Sequence, residues 1–204
     1  NLITGKFSNA TNGTLNGAGT IQASNFSNDG GTLAPGIPLG KMTYNGSESF
    51  NNCTLNLEIN GAGGVGGVDF DQIVVSGTAT MGSTSFLNLI FTYATDNGAT
   101  FDIISATSTS GTFNTSNVTF SNTGAGNVTA VSLTYISGKV RVTVTTSNIW
   151  SGSISSDWNV AGNWSAGVPD ATNFIIIPDV TNDPNINNSV AIQGLKIETG
   201  GLLN

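Results

Sequence analysis

At 204 residues the chain is long enough to bury a substantial core, either as one elongated domain or as two modules. Its 27 glycines and 8% charged residues suit many short strands and tight turns, and leave too little Glu, Lys, Ala and Leu for a helical bundle. The formal charge of -7 comes without the clustered cations that nucleic acid or an anionic membrane surface demands, and Cys53 alone, with no histidine, excludes an intrachain disulfide and a Cys/His zinc site.

In chain order, Gly13-Thr14-Leu15, Gly31-Thr32-Leu33 and Cys53-Thr54-Leu55 open similar strands at intervals of roughly 20 residues, the period of solenoid rungs. Between and beyond them, 21–26, 41–46, 55–60, 70–77, 85–93 and 100–106 read as short strands bounded by Gly, Asn or Ser. Leu55, Leu57 and Ile59 alternate with Asn56, Glu58 and Asn60, which predicts one face in a core and the other in solvent. The glycine-rich 61–67 lacks a following helix and a Gly-Lys-Ser/Thr ending, so it reads as a turn between rungs and not as a phosphate loop. Residues 118–146 add hairpin-like strands in which Val140, Val142 and Val144 alternate with Arg141, Thr143 and Thr145. Composition shifts near Ser147. The expected organisation is therefore 1–147, a β-solenoid module ending in hairpin-like strands, and 148–204, the Trp-rich start of a following β-rich module. No apolar run is long enough to span a bilayer, and the abrupt strand-like ends predict a piece of something longer.

Gly31-Thr32-Leu33-Ala34-Pro35-Gly36, then Asp71-Gln72-Ile73-Val74-Val75-Ser76-Gly77-Thr78-Ala79, then Gly111-Thr112-Phe113 resemble, in order, the rungs of bacterial autotransporter passengers and related large adhesins. The resemblance implies a right-handed parallel β-helix; a pair of tandem β-sandwiches is the alternative fold. Trp150, Gly152, Trp158, Asn163, Trp164, Gly167 and Pro169 resemble the opening of modules in long secreted surface proteins of gliding and marine Bacteroidetes, commonly exported by the type IX system. That resemblance implies an extracellular address on the bacterial cell surface and no particular ligand.

Four groups of side chains are candidate sites. Asp69 and Asp71, two apart, pose acid/base or calcium chemistry against simple bonding to turn amides. Asp170, Asp179 and Asp183, with Asn182, Asn185 and Asn187 nearby, offer the hard oxygens that calcium takes, although their spacing matches no EF-hand. Trp150, Trp158 and Trp164 supply either a glycan-stacking platform or a cap over an open solenoid core, and capping is preferred because an uncapped end exposes core and edge amides. Sequons such as Asn163-Trp164-Ser165 follow from composition.

The expectation is an all-β, non-enzymatic structural or adhesive module, an adhesin stalk or filament segment serving attachment or gliding. Calcium is the one cofactor considered. Expected partners are neighbouring modules, head-to-tail copies or surface glycans, with no nucleic acid and no direct membrane insertion. The alternatives are a carbohydrate-binding or carbohydrate-active module using the Trp cluster with Asp69 and Asp71, and a self-assembling filament subunit.

Overall fold

The computed structural model describes residues 2–3, 6–61, 64–124 and 127–204. Strands make up 53% of it, with no α-helix among the described residues, so backbone hydrogen bonds run between segments distant in sequence. The strands are β1 (Leu2–Ile3), β2 (Phe7–Ala10), β3 (Thr14–Gly17), β4 (Gly19–Gln22), β5 (Phe26–Asp29), β6 (Thr32–Pro35), β7 (Lys41–Asn45), β8 (Glu48–Phe50) and β9 (Thr54–Ile59). They continue with β10 (Gln72–Met81), β11 (Phe86–Phe91), β12 (Thr100–Gly111), β13 (Val118–Asn122), β14 (Val128–Ile136), β15 (Lys139–Ile149), β16 (Phe174–Ile177) and β17 (Gly194–Ile197). Of the N-terminal segment 1–5, residues 1, 4 and 5 lie outside the described residues, as do residues 62 and 63 of the glycine-rich turn.

The chain divides into two compact units, Asn1–Val144 and Thr145–Asn204. In the first, the chain returns repeatedly to two larger sheets. One has the order β3-β6-β9-β11-β13; the other runs β1-β4-β7-β10-β12-β15, with β8 also on β10 and β14 on β15. A third, two-stranded sheet pairs β2 with β5, stacking Phe7 on Phe26 with centroids 5.7 Å apart. Nearly all these pairings are parallel, which does not fit the tandem β-sandwich alternative, an antiparallel architecture. β12 on β15 is antiparallel.

Register follows from the alternation. Leu15 lies beside Leu33, Leu33 beside Leu55, Leu55 beside Leu87 and Leu87 beside Val118, one residue from each of five strands. Leu33, Leu55 and Leu87 are fully buried, and each such side chain contributes roughly 1.5–3 kcal/mol by leaving water. A one-residue slip would turn the whole column outward, so the pattern itself fixes the pairing.

The repeated Gly-Thr-Leu has a packing cause. Asn9, buried, donates from Nδ2 to Thr32 O at 2.8 Å, and its amide fills the space where Gly13 and Gly31 lack a Cβ; one built there would meet Asn9 atoms at 2.5 and 2.4 Å. At the next repeat the position is Cys53, and Ser85 answers it: Ser85 Oγ accepts from Cys53 N at 3.2 Å and donates to Phe50 O at 2.8 Å. Burial raises the Cys53 thiol pKa, which keeps it protonated and inert.

In the second unit, Ser147–Ile149 pair with β16 and β16 with β17, all parallel. Trp150, Trp158, Trp164, Ile175 and Ile177 form its core. No helix among the described residues is long and apolar enough to cross a membrane.

Candidate functional site

The tryptophans are interior groups. Trp150, Trp158 and Trp164 are 0%, 1% and 5% exposed, and Trp164 meets the other two edge to face, with ring centroids 4.9 and 4.6 Å apart. Their faces are occupied by one another and by isoleucines, which corrects the glycan-platform reading: no indole face is available to a sugar. They form the second unit's own core. Trp150 Nε1 donates to Asn182 O at 2.7 Å and Trp164 Nε1 to Trp158 O at 2.8 Å, whereas Trp158 Nε1 is buried without an acceptor among the described residues.

The polar residues of the same motif tie its loops. Asn163, fully buried, accepts from Ile154 N at 2.9 Å and Ser155 N at 3.0 Å and donates to Asp157 O at 2.9 Å. Asn148 does the same for the following turn, donating to Gly167 O at 2.6 Å and accepting from Ala166 N at 3.0 Å. Gly152 has φ +56, and a Cβ there would lie 2.4 Å from Asn182 O, so only glycine fits.

Asp170, Asp179 and Asp183 are not brought together as a calcium set; among the described residues no three acidic or cysteine side chains converge as metal ligands. Asp170 accepts from Thr172 N at 2.8 Å and Thr172 Oγ1 at 2.7 Å, and these bonds hold its carboxyl below the usual range. Asp183 accepts from Leu202 N at 3.2 Å. Asp179 packs against Gly200, where a Cβ would meet its Oδ2 at 2.6 Å. Asp170 thus closes its own turn, whereas Asp179 and Asp183 each meet the segment 200–202.

Asp69 and Asp71 also separate. Asp69 accepts from Val65 N at 2.9 Å within the glycine-rich turn. Asp71, 2% exposed, uses both oxygens: Oδ1 accepts from Gly40 N at 2.8 Å and Oδ2 from Glu58 N at 2.9 Å. Burial pushes its pKa up to about 7 against the pull of those two amides, with the Glu58 carboxylate adding to the rise. This carboxyl ties the β6–β7 loop to β9.

The tied loop walls a groove of about 460 Å³ on the sheet face opposite the buried leucines. Its lining brings together Asn16, Ala34, Ile37, Pro38, Asn56, Glu58 and Asp71. Alternation had already put Asn56 and Glu58 on the solvent face, but nothing in sequence brings Asn16, Ala34 and Asn56 side by side before the register is known. A larger cleft of about 600 Å³, lined by Phe113, Val118, Phe120, Val131, Leu133 and Tyr135 among others, has no charged group in its lining.

Two further carboxylates carried no sequence signal. Asp102 on β12 binds Lys139 Nζ and Arg141 Nε, both at 2.6 Å, and Arg141 Nη2 at 3.0 Å. Glu48 points inward from β8, 7% exposed, and burial pushes it up to about 7 while the Ser49 backbone amide pulls the other way.

Residues 149–204 match the family described as Domain of unknown function (DUF8693). The match lies wholly within the second unit and takes in the three tryptophans, Asn163 and Gly152. Comparison with curated proteins finds no match.

Proposed function

We propose that this chain is a structural and adhesive module of a long extracellular bacterial surface protein, and that its first unit is a right-handed parallel β-helix. The supporting observation is the in-register column Leu15, Leu33, Leu55, Leu87 and Val118, because a strand that returns to the same position turn after turn is how a solenoid extends a core along one axis. Such a body resists unfolding through stacked apolar rungs and needs neither disulfide nor metal. Its role is to carry or present contacts at the cell surface and not to turn over a substrate. An experimental structure tests the coil: a left-handed course, or sheets that do not share one core, refutes it. For the surface role, antibody against this chain should label unbroken cells of the encoding organism, and deleting the gene should reduce attachment. Labelling only after lysis would count against it.

A second reading is head-to-tail self-assembly. On β17, at the edge of its sheet, Leu195 and Ile197 are exposed, and such an edge can template another chain. Electron microscopy of concentrated protein should then show filaments; a monodisperse monomer refutes this reading.

A further inference from the structure

Thr119 on β13, Asn88 on β11 and Asn56 on β9 lie side by side across one sheet face. Their hydrogen bonds run in one direction. Thr119 Oγ1 donates to Asn88 Oδ1 at 2.6 Å, and Asn88 Nδ2 donates to Asn56 Oδ1 at 2.9 Å. The next strand, β6, offers Ala34 in the same groove, a side chain with no acceptor. Asn56 Nδ2 therefore ends the relay with its N–H groups unspent among the described residues, at the groove.

Two positions along β9, Glu58 has the opposite surplus. Its backbone N–H is taken by Asp71, but its carboxylate accepts no hydrogen bond among the described residues, and it lines the same groove. A donor without an acceptor and an acceptor without a donor thus sit on one strand. A hydroxyl group is both, and a pair of hydroxyls on adjacent carbons can satisfy the amide and the carboxylate together.

Part of the groove's lining is apolar. Ile37 is 78% exposed and Pro38 stands beside it. A lone exposed isoleucine needs no explanation, but this one lines the same groove as Asn56 and Glu58, and that mixture of apolar and hydrogen-bonding groups suits a sugar ring. This part is also held in place: Asp71 fixes the loop at Gly40, and Gly36, φ +88, packs so closely that a Cβ would lie 2.0 Å from the Leu39 carbonyl carbon. The volume of about 460 Å³ falls in the range of roughly 300–1,000 Å³ typical of small-molecule sites. A net charge of -7, with Glu58 in the groove itself, disfavours polyanionic glycans.

We propose that this groove binds a neutral oligosaccharide, with Asn56 Nδ2 and the Glu58 carboxylate holding ring hydroxyls and Ile37 and Pro38 packing against the ring's C–H face. The assignment goes beyond the scaffold reading and does not depend on it.

The test is titration of the full chain with neutral hexasaccharides built from glucose, xylose, mannose, galactose and N-acetylglucosamine, with polygalacturonate as the acidic control. Binding is followed by calorimetry and by amide chemical shifts. At least one neutral hexasaccharide should bind with Kd below about 1 mM, shifting amides of Thr14–Asn16, Ala34, Gly36, Ile37, Leu39 and Asn56–Glu58. Glu58→Gln and Asn56→Ala should each weaken binding roughly five-fold or more, while Ser121→Ala, elsewhere on the sheet, should not change it. Glu58→Gln keeps the side-chain shape, so its melting temperature should stay near the parent's, and the parent's shift map decides the matter should Asn56→Ala fail to fold. Failure of every neutral hexasaccharide to bind, shifts clustered away from the groove, unchanged affinity in Glu58→Gln, or preference for polygalacturonate overturns the proposal.

Discussion

Asn163 and Trp164 are adjacent residues doing unlike work, one satisfying four loop partners and the other seated between two indoles. The sequence marked both as part of a motif, but an aromatic cluster on paper is equally a platform or a core. The choice rests on burial, which depends on where Ile175 and Ile177 arrive from downstream. The indole nitrogens give a sharp test. Trp164→Phe removes a ring volume and a made hydrogen bond; Trp158→Phe removes a ring volume and an N–H that had no acceptor among the described residues. Trp164→Phe should therefore destabilise the second unit by about 1 kcal/mol more than Trp158→Phe in urea titrations. Equal losses would mean that the Trp158 N–H is satisfied in solution. Calcium was read from aspartate density, but Asp170 closes an Asx turn on Thr172 while Asp183 accepts from the distant Leu202 amide.

Between β12 and β15, direction reverses and an ion cluster marks the change. Asp102 lies opposite Arg141 in the antiparallel register, and Lys139 reaches it from beside Ser105. The alternation of Val140, Val142 and Val144 made a half-wet strand legible, but not its partner, since an antiparallel strand after so many parallel ones has no local signature. Asp102→Asn should lower the melting temperature by a few degrees at low salt. The deficit should shrink in 1 M NaCl, where charges are screened over about 3 Å; a deficit indifferent to salt would assign the loss to packing. The Gly-Thr-Leu repeats were legible as strand openings, yet the reason for their glycines, the Asn9 amide lying across both, comes from a strand outside the motif.

Over the whole molecule, buried carboxyls set an unusual pH response. Glu48 and Asp71 are each pushed up to about 7 by burial, whereas in the unfolded chain they ionise near about 4. Across that interval the folded chain holds protons that the unfolded chain has released, so stability falls as pH rises from about 4 to about 7. Asp102 works in the opposite sense: the Arg141 hydrogen bond, helped by Lys139, lowers its pKa despite burial, so its contribution is present above the ordinary carboxylate value and lost as pH falls through the lowered one. The melting temperature should accordingly peak near about pH 4–5 and decline on both sides. Glu48→Gln should flatten the limb between pH 5 and 7, and an unaltered slope there would remove Glu48 from the account. What the sequence by itself determined was the all-β composition, the strand alternation and the change of pattern near Ser147, because these depend on neighbours a few residues apart and on glycine, asparagine and valine preferences that act locally. Only the tertiary structure decided which aspartate meets which amide, that the tryptophans face inward, and that Asn16, Ala34, Asn56 and Glu58 line one groove. Those outcomes depend on register between strands some 20 to 30 residues apart: contacts across that distance are chosen by the best burial of the whole stack, and no local preference encodes them.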